Sequence, residues 1–209
     1  MKRCVIVGGA EIRDYERVRA YMREGDFNVF CDSGLRHMEG LGLAPNLIVG
    51  DFDSYANPNL PVETIVLPRE KDDTDTVYAV REAVRRGFED FLLAGVVGNR
   101  LDHTLANVSI LLYLDGLGLK ALAVDDYSEM EIVSGGADAP TLIPDSFSFF
   151  SLLNISGKAA GVSIKNAKYP LRNAEMNCEY QYGVSNEVLP GKTAEVSLSE
   201  GRLLLIKVK

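Results

Sequence analysis

The sequence predicts an α/β domain, with a mostly parallel sheet flanked by helices, followed by a small all-β sandwich. Three observations predict it. Up to about residue 135, short apolar runs alternate with segments of helical period. Beyond that point the runs are short, β-rich and separated by glycines. Finally, 209 residues with 46% apolar and 25% charged side chains can bury a sizeable core, in one large domain or two small ones.

The elements follow in order. A buried strand at 4–7 runs into Gly8-Gly9, and a charged helix covers 12–23. A second strand at 28–31 precedes a short helix at 34–41. Residues 47–49, after Pro45, and 64–67, before Pro68, read as the third and fourth strands. Over 76–86, Val77, Val80, Ala83 and Val84 recur at helical period, and Gly87 closes the segment. A fifth strand at 91–97, a helix at 101–114 and a strand at 120–124 complete the series. These strands are continuous apolar runs, so both their faces are buried, as in a parallel sheet between helices.

Strands at 147–153, 162–165, 193–198 and 203–208 make up the second half. Ala194-Glu195-Val196-Ser197-Leu198-Ser199 alternates apolar and polar residues with period two. Gly157, Gly161, Gly183, Gly191 and Gly201 punctuate the segment, and no ten-residue window reads as a helix. The small polar stretch Ser134-Gly135-Gly136-Ala137-Asp138 suggests a boundary, giving domains 1–135 and 136–209.

Charge narrows the function classes. With 22 Lys+Arg against 30 Asp+Glu the net charge is −8, and nucleic acid is not an expected partner. An acidic surface suits metal cations and cationic substrates better. No apolar run approaches the roughly 20 residues of a membrane span. The opening residues pass directly into a strand with no cleavable signal pattern, so a cytoplasmic location is expected. Cys4, Cys31 and Cys178 are odd in number and widely spaced, which argues against a disulfide framework or a zinc site.

Ligands of open α/β sheets gather beyond the carboxyl ends of the strands. Four such ends carry polar clusters: Asp32-Ser33-Gly34, Gly50-Asp51-Phe52-Asp53-Ser54, Lys71-Asp72-Asp73-Thr74-Asp75, and Gly98-Asn99-Arg100-Leu101-Asp102-His103. Singly, Asp32, Thr74 or Asp102 could be no more than a helix N-cap. Their recurrence at successive strand ends is the stronger observation. Asp32, Asp51, Asp53, Asp72 and Asp75 would converge on one edge, where like charges repel unless a cation lies between them. Oxygen ligands without His or Cys favour Mg²⁺, which usually arrives with substrate phosphates. Lys71 and Arg100 add positive charge where phosphate oxygens would lie. The residues alone imply metal-assisted chemistry on a nucleotide.

The same clusters, in the same order, resemble the signatures of the thiamine pyrophosphokinase family. Asn107 after the fourth cluster, Lys168-Tyr169-Pro170-Leu171 and Gly183-Val184-Ser185-Asn186-Glu187 extend the resemblance over almost the whole chain. It implies an α/β nucleotide-binding domain and a β-sandwich that binds thiamine. It also implies a homodimer with thiamine in clefts between subunits, and Mg²⁺-dependent transfer of the β,γ-diphosphate of ATP to thiamine. Asp32, Asp51, Asp53 and Asp75 would hold Mg²⁺. Lys71, Asp72, Thr74, Arg100, Asp102 and His103 would line the ATP site, and Ser185 and Asn186 would hold thiamine. Asp53, Asp75 and Lys71 would be catalytic, with the choice between metal ligand and base left open for the two carboxylates.

Ser33 and Asn99 replace family glycines, and the chain has no Trp to stack on the substrate ring. Tyr169, Tyr180 or Tyr182 could take that part. His37, in a polar stretch of the short helix, is expected on the surface, and Cys31 in the core. Two other functions fit the acids: a related diphosphokinase with another small alcohol as acceptor, and a nucleotide-binding regulatory module without turnover.

Overall fold

The computed structural model of the protein describes residues 2–53, 55–70, 72–98 and 100–209. Packing divides the chain into two units, Met1–Asp126 and Tyr127–Lys209. Among the described residues no helix is long and apolar enough to cross a membrane.

The first unit contains strands β1 (Arg3–Val7), β2 (Phe27–Cys31), β3 (Leu47–Gly50), β4 (Glu63–Val66), β5 (Asp90–Ala94) and β6 (Lys120–Val124). They pair in parallel in the order β4-β3-β2-β1-β5-β6. Every residue of β1 and β3 is buried, as a sheet covered on both faces requires. Val5, Val7, Phe30, Ile48 and Leu92 pack against the side of α1 (Tyr15–Arg19) and α2 (Met38–Leu41). Helix α3 (Asp75–Arg85) packs on β1, β2 and β3, and α4 (Leu101–Gly116) on β6. The register sets Val7 opposite both Phe30 and Ala94, and Cys31 opposite Val49. The loops that follow these strands therefore leave the sheet together.

Helix α1 is shorter than the expected 12–23 segment because hydrogen bonds compete at its start. The Asp126 carboxylate accepts from the amides of Arg13 (3.0 Å) and Asp14 (3.0 Å), holding them out of the helix. Asp14 then caps it, accepting from Arg17 N at 3.0 Å. The expected helix at 34–41 divides into a tight 3₁₀ turn, Asp32–His37, and the single α turn of α2, closed by Gly42 in the left-handed region.

The second unit is all strand: β7 (Ser128–Ser134), β8 (Thr141–Pro144), β9 (Phe149–Asn154), β10 (Lys158–Lys165), β11 (Leu171–Asn177), β12 (Thr193–Ser197) and β13 (Arg202–Val208). Two antiparallel layers, β7-β13-β9 and β11-β10-β12-β8, enclose Ile143, Phe150, Leu152, Val162, Val196 and Leu205. The division falls before β7, whereas the sequence suggested 135/136, because β7 pairs along its whole length with β13. Its acidic residues hid it. Glu129 and Glu131 lie at 2.7 and 2.8 Å from Lys207 Nζ on β13, so their charges are compensated within the sheet. Pro144 in β8 is tolerated because that strand lies at a sheet edge.

Candidate active site

Loops following β1, β2, β3 and β5, with the first turns of α3 and α4, line a cleft of about 820 Å³. It lies between the exits of β1 and β5, where the strand order reverses. That is where open α/β sheets bind ligands.

Glycines let the loops close on one another. A Cβ on Gly34 would collide with the Val7 carbonyl, and one on Gly9 with the Ser33 side chain. A Cβ on Gly50 would meet Asp32 at 3.1 Å. These contacts hold Asp32, at the start of the 3₁₀ turn with φ 40°, against the end of β3. Asp51 follows β3 directly, and its Oδ1 accepts from Asp53 N at 3.2 Å. Asp75 opens α3, whose cap is Thr74 Oγ1, accepting from Val77 N at 3.3 Å.

One oxygen from each of Asp32, Asp51 and Asp75 lies within 4.8 Å of the others. Asp32 Oδ1 is buried and has no hydrogen-bond partner among the described residues. Burial holds the Asp32 carboxyl above the usual range; the Ser33 amide opposes this, and the charges of Asp75, Asp51 and Asp53 add to it. Cys31 adjoins the cluster with its thiol directed at the Asp75 carbonyl, 3.8 Å away. Burial pushes that thiol well above its ordinary pKa, and Cys31 lies outside the group of side chains whose ligand atoms converge. The donor set is therefore carboxylate oxygen alone, and it fits a hard divalent cation such as Mg²⁺.

The opposite charge is also provided for. Arg36, Arg100 and His103 line the cleft beside the amino-terminal turns of two helices, where backbone N–H groups favour anions. Arg36 is oriented by donating to Ser33 O at 2.9 Å. Arg100 is held by Asp102 through two hydrogen bonds, of 3.0 and 2.7 Å. That guanidinium keeps the exposed Asp102 carboxyl well below the usual carboxylate range. Asn107 donates to Val96 O at 2.7 Å, and Thr104 accepts from Gly98 N at 3.1 Å, so α4 fixes the loop after β5. A cleft lined by a three-carboxylate cation site and by the guanidinium groups of Arg36 and Arg100 suits a metal-bound polyphosphate.

Two family models match the chain: the thiamin pyrophosphokinase catalytic domain over residues 18–122 and the thiamin pyrophosphokinase vitamin B1 binding domain over residues 141–203. The chain belongs to the thiamine pyrophosphokinase family. Thiamine pyrophosphokinase of Bacillus subtilis (strain 168) is 24% identical over 217 residues, covering 99% of both chains. A crystal structure of thiamine pyrophosphokinase from Bacillus subtilis superposes with a TM-score of 0.83 at 23% identity, covering 100% of this chain and 99% of that one. The thiamin pyrophosphokinase structure from Geobacillus thermodenitrificans gives 0.79 at 27% identity, covering 99% and 97%.

Of the residues singled out in the sequence, Asp32, Asp51, Asp53, Thr74, Asp75, Arg100 and His103 line the cleft. Asp72 and Asp102 are not among its lining residues. Lys71, Ser54 and Asn99 lie outside the described residues. Ser185 and Asn186 belong to the second unit. Ser185 has φ 57° and donates its amide to Ser151 Oγ at 3.0 Å. Asn186 is buried, accepting from the amides of Tyr169 (3.0 Å) and Glu187 (2.9 Å) and donating to Tyr169 O (2.8 Å). Tyr169, Tyr180 and Tyr182 are exposed.

Sequence reasoning missed Tyr15, Arg36 and His37. His37 is 2% exposed rather than on the surface, because the 3₁₀ turn carries it inward onto Tyr15 and Ala10. Tyr15 and His37 are 22 residues apart, and no periodicity within either segment signals their pairing.

Proposed function

We propose that the protein transfers the β,γ-diphosphate of ATP to the hydroxyethyl oxygen of thiamine, yielding thiamine diphosphate and AMP. The observation that carries this reading is the Asp32–Asp51–Asp75 group, with its buried, unpartnered Asp32 oxygen, in a member of this family. Mg²⁺ bound to these three residues would neutralise the triphosphate and draw electron density from the phosphorus under attack. Arg36, Arg100 and the first turns of α3 and α4 take the phosphate oxygens. The thiamine oxygen forms a bond to the β-phosphorus, the bond from that phosphorus to the α,β-bridging oxygen breaks, and its electrons leave with AMP. Orientation and charge stabilisation do most of this work. We assign the alcohol proton to Asp53, which lines the cleft outside the three-carboxylate group.

The acidic cleft also suits the cationic thiazolium of thiamine. Contacts of Ser185 and Asn186 with thiamine, the part of Lys71 at the phosphates, and a homodimer belong to the same proposal, carried by the family resemblance. The test is chromatography of purified protein with ATP, Mg²⁺ and thiamine. AMP and thiamine diphosphate should form in equal amounts and vanish when metal or thiamine is omitted. AMP without thiamine diphosphate would point to another acceptor, and ATP binding without products to a regulatory module. Asp53→Asn should reduce turnover at least a hundredfold while leaving the circular dichroism spectrum unchanged. Wild-type turnover in that variant would remove Asp53 from the chemistry.

A further inference from the structure

His37 and Tyr15 face the cleft, yet nothing in the proposed reaction uses them. His37 ends the 3₁₀ turn that begins with Asp32. Its Nε2 lies 2.9 Å from the Ala10 carbonyl oxygen and its Nδ1 lies 2.8 Å from the Tyr15 hydroxyl. A carbonyl only accepts, so Nε2 carries the proton, and in the neutral ring Nδ1 then accepts from the Tyr15 hydroxyl. This is the neutral tautomer, and burial lowers the pKa of the ring in the same direction.

The remaining contacts make the pair rigid. Ala10 N donates to Gly95 O at 2.8 Å, and Gly8 N to Ala94 O at 2.9 Å, so the loop after β1 is tied to the exit of β5. His37 takes the carbonyl of the same Ala10 whose amide is tied to β5. Tyr15 is held in turn. A Cβ at Gly40 would collide with its ring, and the Asp126 carboxylate fixes the two preceding amides. A histidine serving only the core would link buried elements. This one joins two walls of the cleft: the loop of residues 8–10 and the turn that carries Asp32.

We propose that Tyr15 and His37 are a positioning pair, which holds the loop of residues 8–10 and the Asp32 turn at the separation that admits the metal-bound nucleotide. The inference rests on the nucleotide part of the proposed function. It asks nothing of the acceptor.

Three variants test it: His37→Phe, which removes both hydrogen bonds; His37→Gln, which can still donate to Ala10 O; and Tyr15→Phe, a milder change that keeps the ring. Mg·ATP affinity is read by calorimetry, kinetic constants by product formation, and loop order by amide hydrogen exchange. His37→Phe should weaken Mg·ATP binding about tenfold, the equivalent of one to two ordinary hydrogen bonds. The KM for thiamine should stay unchanged. Exchange at residues 9–11 should speed up while the amides of Val5 and Leu92 keep their protection. His37→Gln should recover most of the affinity, and Tyr15→Phe should show a smaller loss in the same direction. Unchanged affinity and unchanged exchange in both His37→Phe and Tyr15→Phe would overturn the pair, as would equal acceleration of exchange across the whole first unit. A wild-type protein that binds Mg·ATP without forming thiamine diphosphate, with the affinity losses still seen, would uphold the pair and overturn the reaction. No Mg·ATP binding to the wild type would overturn both.

Discussion

The Asp32 carboxylate loses hydration in the turn after β2 and faces the charges of Asp75, Asp51 and Asp53. A carboxylate so placed destabilises the metal-free fold, and a bound cation relieves that repulsion. Asp32→Asn should therefore raise the Tm of the metal-free protein in scanning calorimetry. It should also abolish the rise in Tm expected when Mg²⁺ is added to the wild type. That stabilisation amounts to about 2.7 kcal/mol at a hundredfold excess of metal over Kd. A lower metal-free Tm in the variant would show that Asp32 supports the fold rather than straining it. The acidic residue types and their recurrence at strand ends were legible in the sequence. Which three come within one ion's reach was not, since that depends on Gly50 allowing β3 to pack against Asp32.

At the scale of elements, α3 shows how a helix is tied to an edge strand. Glu82 is buried and accepts from Arg85 (2.8 and 2.7 Å) and Arg86 (2.7 Å), while Arg86 also donates to Glu63 on β4 at 2.9 and 2.5 Å. Hydrogen bonds from Arg85 first, then Arg86, hold the Glu82 carboxyl at about 2, against 4.5 for the free group. Its folded pKa is depressed, so the stabilisation is complete above about 4.5 and disappears as the pH falls toward 2. Glu82→Gln should cost on the order of 2 kcal/mol at pH 7 in urea unfolding. The difference from wild type should shrink steadily below the upper limit of that window. A difference independent of pH would mean that Glu82 acts by packing alone. The helical period of 76–86 marks only apolar positions, and the burial of Glu82 between two arginines is what reveals its part.

For the whole molecule, the net charge of −8 and the carboxylate cleft predict an electrostatic contribution to capture of cationic thiamine. Raising ionic strength from about 0.01 to about 0.15 M shortens the screening length from roughly 30 to 8 Å, and the KM for thiamine should rise with it. A salt-independent KM would restrict thiamine recognition to neutral contacts. Sedimentation velocity should give twice the chain mass if the protein is the proposed homodimer, and a monomeric mass would refute it.

What the sequence by itself determined is what short windows encode. Continuous apolar runs marked the buried parallel strands, the helical period of α3 marked a helix on their face, and the period-two pattern of β12 marked the antiparallel layer. The family blocks marked the acids. The tertiary structure decided the features that depend on partners distant in the chain. Residues 128–134 receive no strand in the sequence reading because Glu129 and Glu131 break the apolar pattern, and Lys207, at the other end of the second unit, compensates both. His37 looks like a surface residue until the 3₁₀ turn brings it between Tyr15 and Ala10. Local periodicity shows which face of an element is apolar. It does not show which distant polar group meets a buried charge or imidazole, because that pairing arises only when the sheet register and the loop exits are in place.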